Sequence, residues 1–287
     1  MGTVEEIGAD ENVQPPEPPQ RRSPVRMTVR TIGELLITVG LVVLLFVAYE
    51  VYVTDWISAG KQRDATAALD REWKQPPSTT EAQRKAHFQG LKEGEGFAKM
   101  YVPAFGADYR FTILEGTTES TLEVGPGHYK GTAYPGPTGN FAVAGHRVGK
   151  GAPFNDIDLL ESCDAIVVET RDTWFVYRVL PKDDEVSGWA AGKGKRARCK
   201  GVAPLGGQYT QVRGQEIVLP SEGSVVATVP HKDVVPPPDQ QVGLMTLTTC
   251  NPKFSDRQRL IVHAVLVHVI SKDDLAPGQL PDEMKES

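Results

Sequence analysis

The chain has 287 residues, 40% of them apolar and 24% charged. That length suits roughly two domains, and the composition excludes a long disordered chain, a collagen and a multi-span transporter. Its 31 Lys and Arg against 37 Asp and Glu give a net charge of −6, with no basic face for nucleic acid and no block of acid long enough to be a tail.

Residues 1–30 carry four prolines between 15 and 19, an acidic start, and then Arg21, Arg22, Arg26 and Arg30. With too few large apolar residues to bury anything, this segment is expected to be a disordered tail. From Leu35 to Tyr49 there is no charge. The run extends to Ile32–Val53 if Glu34 and Glu50 sit among lipid headgroups, which approaches the ~20 residues a span needs. One transmembrane helix over 31–54 is therefore expected. A cleaved signal peptide would have a shorter apolar core and small residues at its cleavage site, which Ile57-Ser58-Ala59 match poorly. Arginines precede the span, while Tyr49, Tyr52 and Trp56 follow it as interfacial aromatics. The positive-inside rule then puts the N-terminus in the cytoplasm and everything after residue 55 outside the cell.

Residues 55–95 are polar, with a short Ala-rich stretch that can be helical before Pro76-Pro77 stops it, and are expected to be a stalk. After Gly96 the texture changes. FAKMYV, YRFTILEG, NFAVAG, AIVVET, TWFVYRVL, EIVLP, SVVATV, LMTLTT and RLIVHAVLVHVI are β-branched or aromatic runs separated by Gly, Pro and Asp. The 28 Gly and 22 Pro supply the turns. About eight short strands over 96–272 fit an all-β body, one closed barrel or sandwich. Arg171-Asp172 marks a tight hairpin, PFNDIDLL (153–160) is the one strong helix candidate inside the body, residues 185–214 read as a long surface loop, and 273–287 as a polar tail.

Cys250 ends the run LMTLTT and precedes Asn251-Pro252, so a turn there exposes a thiol at a strand terminus. By residue type alone a lone cysteine is more often a buried small hydrophobe or half a disulfide. Partners decide more. Ala144-Gly145-His146-Arg147 closes another apolar run, and two strand ends can meet on one rim. An imidazole within reach of a thiol can take or hold its proton, and the thiolate attacks a carbonyl carbon. Arg259 opens the last strand, nine residues beyond Cys250, so an antiparallel return brings a guanidinium back beside the sulfur as an oxyanion stabiliser. Arg257, two residues earlier, competes for that place. His263 and His268 lie an odd number apart in one strand, hence on opposite faces, and read as structural, while His87 falls in the stalk.

Together these residues resemble the sortases. TLTTC (246–250) followed by Arg259-Leu260-Ile261-Val262 is similar to their TLxTC signature and following Arg-bearing strand, and GHR (145–147) to their histidine segment, in the family's order. GPGHYKGTAYPG, AGHRVGKGAPFNDI, TWFVYRV and FSDRQRLIVHA most resemble the class E members of high-GC Gram-positive bacteria. The resemblance covers about residues 96–272. It implies a closed eight-stranded sortase-type β-barrel carrying a cysteine transpeptidase, anchored outside the membrane. Cys250 would cleave the Thr–Gly bond of an LPxTG-like sorting signal, LAxTG in class E, through a thioester. The acyl group would pass to an amine of a cell-wall precursor such as lipid II, or to a pilin lysine in a polymerising enzyme. His146 carries over as the acid/base group and Arg259, which directly precedes the apolar run as the family arginine does, as the oxyanion residue. Tyr129 looks like the class E tyrosine associated with the Ala preference. Leu219–Pro230 resembles the loop that cradles the signal and nominates Val226 and Thr228. The loop 185–214 is longer than the family suggests and carries Cys199; with Cys250 reserved for catalysis, Cys163 and Cys199 are left as a pair for an extracellular disulfide.

Two further function classes stay open on sequence. A non-catalytic surface β-domain binding wall or protein ligands has no need for Cys, His and Arg at ordered strand ends, and a cysteine protease would pass the same acyl group to water. No HExxH, paired CxxC or phosphate loop occurs, so no cofactor is expected. No acidic cluster argues for the calcium-responsive loop of class A sortases, and Ca²⁺ is left open.

Overall fold

The computed structural model describes residues 24–49, 54–74, 87–276 and 278–286. Two compact units divide the chain at residues 47 and 48. The first contains helix α1, Pro24–Ala48, but for its last residue. Proline suits its first turn, where an N–H would have no helical partner. An 18-residue window of this helix reaches a mean hydropathy of 2.4, and none of its residues is buried, which is consistent with membrane anchoring. The helix starts seven residues before the expected 31. Arg30 is inside it, paired with Glu34 at 2.7 Å one turn on. Residues 1–23, most of the expected tail, and 50–53 lie outside the described residues.

In the second unit the β-branched runs form strands β1 (Gly96–Tyr101), β2 (Arg110–Glu115), β3 (Gly127–His128), β4 (Asn140–Ala144), β5 (Ala165–Glu169), β6 (Thr173–Val179), β7 (Gln215–Val218), β8 (Leu244–Asn251) and β9 (Gln258–Ser271). Eight of them close a barrel in the order β6-β5-β1-β2-β3-β4-β8-β9 and back to β6. The 14 residues of β9 make closure possible. One edge pairs with β8, while the other pairs first with β7 and then, from Ala264 onward, with β6. The hairpin at Arg171-Asp172 joins β5 to β6, with Thr170 N–H donating to Thr173 C=O at 2.9 Å. The barrel is filled by Phe97, Met100, Ile113, Phe141, Ile166, Tyr177, Leu247 and Val262, each almost wholly enclosed.

Several expectations are corrected. The stalk is a helix: α2, Thr54–Trp73, turns Ser58, Gln62 and Leu69 into the body. Gln62 holds the outside of β2, its Oε1 accepting from Thr112 N–H at 2.7 Å and its Nε2 donating to the Thr112 and Val124 carbonyls. Residues 75–86, including Pro76-Pro77, lie outside the described residues. SVVATV is not a strand. Flanked by Gly223 and Pro230, it forms a single turn and an isolated bridge between Val229 and Lys232; Val225 packs on Val218 and Ile261. The expected helix at 153–160 is one tight turn, Ile157–Leu159. Phe154, Ile157 and Leu160 recur at helical spacing because all three reach the core, but no side chain caps the turn. The segment 185–214 is more than a surface loop. Trp189, Val202, Tyr209 and Val212 form a small core with Cys163 and Cys199, which are joined in a disulfide with Cα atoms 5.0 Å apart. The polar tail is docked as well: Glu286 takes both guanidinium nitrogens of Arg178, at 2.8 and 2.6 Å, and Glu283 accepts from His268 at 2.7 Å.

Candidate active site

The site is assembled where three strands meet. β4 and β8 run parallel with Ala144 opposite Thr248, and Gly145 N–H continues the ladder to Thr248 C=O at 3.1 Å. The ladder ends there, with His146 two residues beyond Ala144 in the chain and Cys250 two residues beyond Thr248. Thr249 Oγ1 fastens the two chain ends by donating to Gly145 C=O at 2.7 Å. β9 returns antiparallel to β8 with Arg259 directly opposite Cys250, a register that puts both side chains on one face. Register separates the two arginines: Arg257 falls in the exposed turn, and Arg259 is the cross-strand neighbour of Cys250.

Cys250 carries the free thiol and is partly exposed. It shares a cavity of about 310 Å³ with His146, Val148, Phe254 and Ser255. Phe254 is 82% exposed at the rim. Arg259 is not on the cavity wall; its Nη1 donates to the Asp256 and Gln258 carbonyls at 2.9 and 3.0 Å, which ties the guanidinium to the turn between β8 and β9.

The imidazole of His146 is largely enclosed, and burial pushes its pKa below the usual 6.5. The same enclosure leaves Nε2 without a hydrogen-bond partner among the described residues. The nearest carboxylate, Glu119 Oε1, is 3.8 Å away, beyond hydrogen-bond range. A buried ring nitrogen with nothing to bond is unusual enough to need an explanation, and an incoming proton donor or acceptor supplies one. Glu119 belongs to the short helix α3 (Glu119–Leu122) and is paired with Lys150 from the His146 loop.

Arg147 was not singled out by sequence reasoning, yet it is 5% exposed and braces the thiol strand. Its Nη1 donates to Asn251 Oδ1 at 3.0 Å and more weakly to Cys250 C=O at 3.4 Å. Its Nη2 lies 3.0 Å from Asp158, an ion pair without an aligned hydrogen bond. The signal for it was adjacency: it directly follows His146 in the chain and lines the same cavity. Glu119 and Lys150 gave no such signal, because only the fold brings them to the histidine.

Tyr129 follows β3 and its hydroxyl meets Thr248 Oγ1 at 2.9 Å, two residues from Cys250. Val226 and Thr228 are half-buried in the segment after β7. That segment is tied to the barrel by Asn140 Nδ2 donating to Ala227 C=O at 2.9 Å. Neither residue lies on the thiol cavity.

With this geometry in view, comparisons place the chain. Residues 100–196 match the sortase domain model. Sortase SrtE2 of Streptomyces coelicolor is 33% identical over 279 residues, covering 91% of this chain and 92% of the relative. Sortase SrtE1 of the same organism is 31% identical over 83% of this chain, which spans 57% of that relative's length. The structure of the SrtF sortase from Corynebacterium diphtheriae is 42% identical, covers 74% of this chain and 98% of its own, and superposes with a TM-score of 0.59. The chain belongs to the sortase family, as a member of its class E.

Proposed function

We propose that the protein is a membrane-anchored cysteine transpeptidase of exported proteins, with Cys250 as nucleophile, His146 as acid and base, and Arg259 as oxyanion stabiliser. The observation that carries this reading is the meeting of three chain segments: a free thiol, a histidine lining the same cavity, and an arginine directly opposite the thiol in strand register. His146 takes the Cys250 thiol proton, and the thiolate attacks the carbonyl carbon of the Thr–Gly bond in an LAxTG- or LPxTG-like signal. Negative charge develops on the carbonyl oxygen, and the Arg259 guanidinium steadies it. His146 gives a proton to the departing glycine nitrogen, the C–N bond breaks, and a thioester remains. An amine of a cell-wall precursor then attacks the thioester carbon, His146 takes its proton, and the thiolate leaves. The unbonded Nε2 of His146 suits a group that exchanges protons with the reacting groups.

Tyr129 supports the Ala preference by its place beside β8, and the segment holding Val226 and Thr228 supports a cradle for the signal. The apolar helix and the arginines before it support a cytoplasmic N-terminus with the barrel outside.

The test uses the full-length chain in detergent micelles, quenched-fluorescence LAxTG and LPxTG peptides, and mass spectrometry with and without a glycine-based amine. Cleavage after Thr with transfer to the amine, stronger for LAxTG and lost by about 10³-fold or more in Cys250→Ala, is the expected result. Turnover retained in Cys250→Ala removes the mechanism. A folded chain that cleaves neither peptide points to a binding domain, or to a polymerising enzyme that needs its whole substrate.

A further inference from the structure

On the side of the barrel where β7 joins β9, three residues far apart in sequence converge: Glu216 on β7, His231 in the β7–β8 connection and His263 on β9. The two histidine Nε2 atoms lie 2.7 and 2.9 Å from the same oxygen, Glu216 Oε1, and each of the three atoms is within 4.8 Å of the others. Counting the protons around this cluster shows an imbalance. Asn140 Nδ2 donates to Ala227 C=O, so its Oδ1 must accept, and the hydrogen on Thr246 Oγ1 goes to it at 2.7 Å. Thr246 has no second hydrogen. His263 Nδ1, 2.9 Å from the same hydroxyl, must therefore carry the proton and donate. In a neutral ring that leaves His263 Nε2 as a lone pair facing a carboxylate oxygen, two acceptors with nothing positive between them. His263 is completely enclosed, so water does not relieve the conflict from its side.

We propose that Glu216, His231 and His263 bind a borderline divalent cation of the zinc class, with the fourth position open to water. Two imidazoles and a carboxylate are the donors such ions prefer, whereas calcium and magnesium take mainly oxygen. A tetrahedral zinc site needs ligand atoms about 3.3 Å apart, as metal–ligand bonds near 2.0 Å require, so the carboxylate moves back a few tenths of an ångström as the ion enters. The chain Asn140–Thr246–His263 is then the outer support, fixing the tautomer that presents Nε2 to the metal. The ion would also fasten the segment 219–231 to the barrel. His231 N–H donates to Ser224 C=O at 3.0 Å, and Val226 and Thr228 lie between those two residues. The metal's place is thus to hold that segment still, and it is separate from the thiol cavity.

The experiment uses the untagged full-length chain in detergent micelles. It is stripped with chelator, dialysed against Zn²⁺ and then metal-free buffer, and its metal counted by mass spectrometry. Co²⁺ is titrated in parallel and followed by its visible absorption. About one equivalent with a tetrahedral cobalt spectrum is expected in the native chain and in Cys250→Ala. A loss of at least tenfold in affinity is expected in both His231→Ala and Glu216→Gln, checked for folding by circular dichroism. Thr246→Val, which removes the acceptor for Nδ1–H, is expected to lower affinity by roughly 10–100-fold. Zn²⁺ should also raise the thermal midpoint of the native chain and leave that of Glu216→Gln unmoved. Binding no greater than in Glu216→Gln, with an unmoved midpoint, overturns the proposal and leaves a proton between His263 and Glu216. Metal retained by both ligand variants overturns it equally, because the ion is then held elsewhere.

Discussion

Arg259 and Arg257 are two residues apart, and a strand register separates them: Arg259 stands opposite Cys250, Arg257 in the exposed turn. In peptide cleavage Arg259→Ala is expected to lose on the order of 10²–10³ in kcat/KM, whereas Arg257→Ala should stay within about twofold, as exposed positions do. Equal losses would mean that the guanidinium acts through general charge and not from a fixed place. His146 offers a second test by pH. Burial, the largest influence, pushes its pKa below 6.5, and the Glu119 carboxylate pulls the other way. The neutral form is therefore expected to persist below pH 6.5, and the acid limb of the kcat/KM profile to fall there. Glu119→Gln removes the upward pull, so the limb should move to lower pH; a limb that moves up contradicts the assigned influence. Cys250, His146 and Arg259 stood out as candidates in the sequence because each flanks an apolar run, the first two after it and Arg259 before it, and strand ends are where such runs expose polar groups. Glu119, Lys150 and the Glu216–His231–His263 cluster were not. They belong to segments that meet only after β3, β4, β7 and β9 have paired across tens of residues.

Helix α2 shows why an element can be overlooked. Its sequence lacks an apolar stripe, and polar all round it reads as a stalk; yet it docks through side-chain amide chemistry. Gln62 supplies the bond that Thr112 N–H, on a fully buried residue of β2, makes outside the ladder. Nearer its start, Asp55 Oδ1 accepts from Gly151 N–H at 2.9 Å in the loop that follows His146. The helix thus positions the histidine loop from behind. Gln62→Ala leaves a buried donor unpaired and is expected to destabilise the second unit by about 1–3 kcal/mol. A lowered urea midpoint at unchanged slope would show it. Lys61→Ala, which removes only an exposed pair with Glu123 at 3.1 Å, should give no resolvable shift. If both variants behave alike, the helix is held by something other than the Gln62 amide. The strands themselves were legible from β-branched runs between turns, with one exception. SVVATV carries the same residues, but its valines serve a local packing cluster and its backbone bonds close on themselves, with Ala227 N–H on Ser224 C=O. Residue type alone does not distinguish packing of that kind from pairing.

At the scale of the whole molecule, the chemistry proposed requires the thiol to face the side where exported proteins and wall precursors meet. The three cysteines make this directly measurable, since Cys163 and Cys199 are joined and Cys250 is the free, partly exposed thiol. A membrane-impermeant maleimide applied to intact cells that express the full chain should label it once. The label should disappear in Cys250→Ala and stay absent in Cys163→Ala/Cys199→Ala/Cys250→Ala, which separates loss of the site from exposure of new thiols. The disulfide makes the same demand independently, because such bonds persist in oxidising compartments and are rare in the cytosol. Labelling only after the membrane is permeabilised would reverse the orientation drawn from the arginines before α1. It would also separate the thiol from any wall amine, so the proposed acyl transfer would fail with the topology even if the peptide assay showed cleavage.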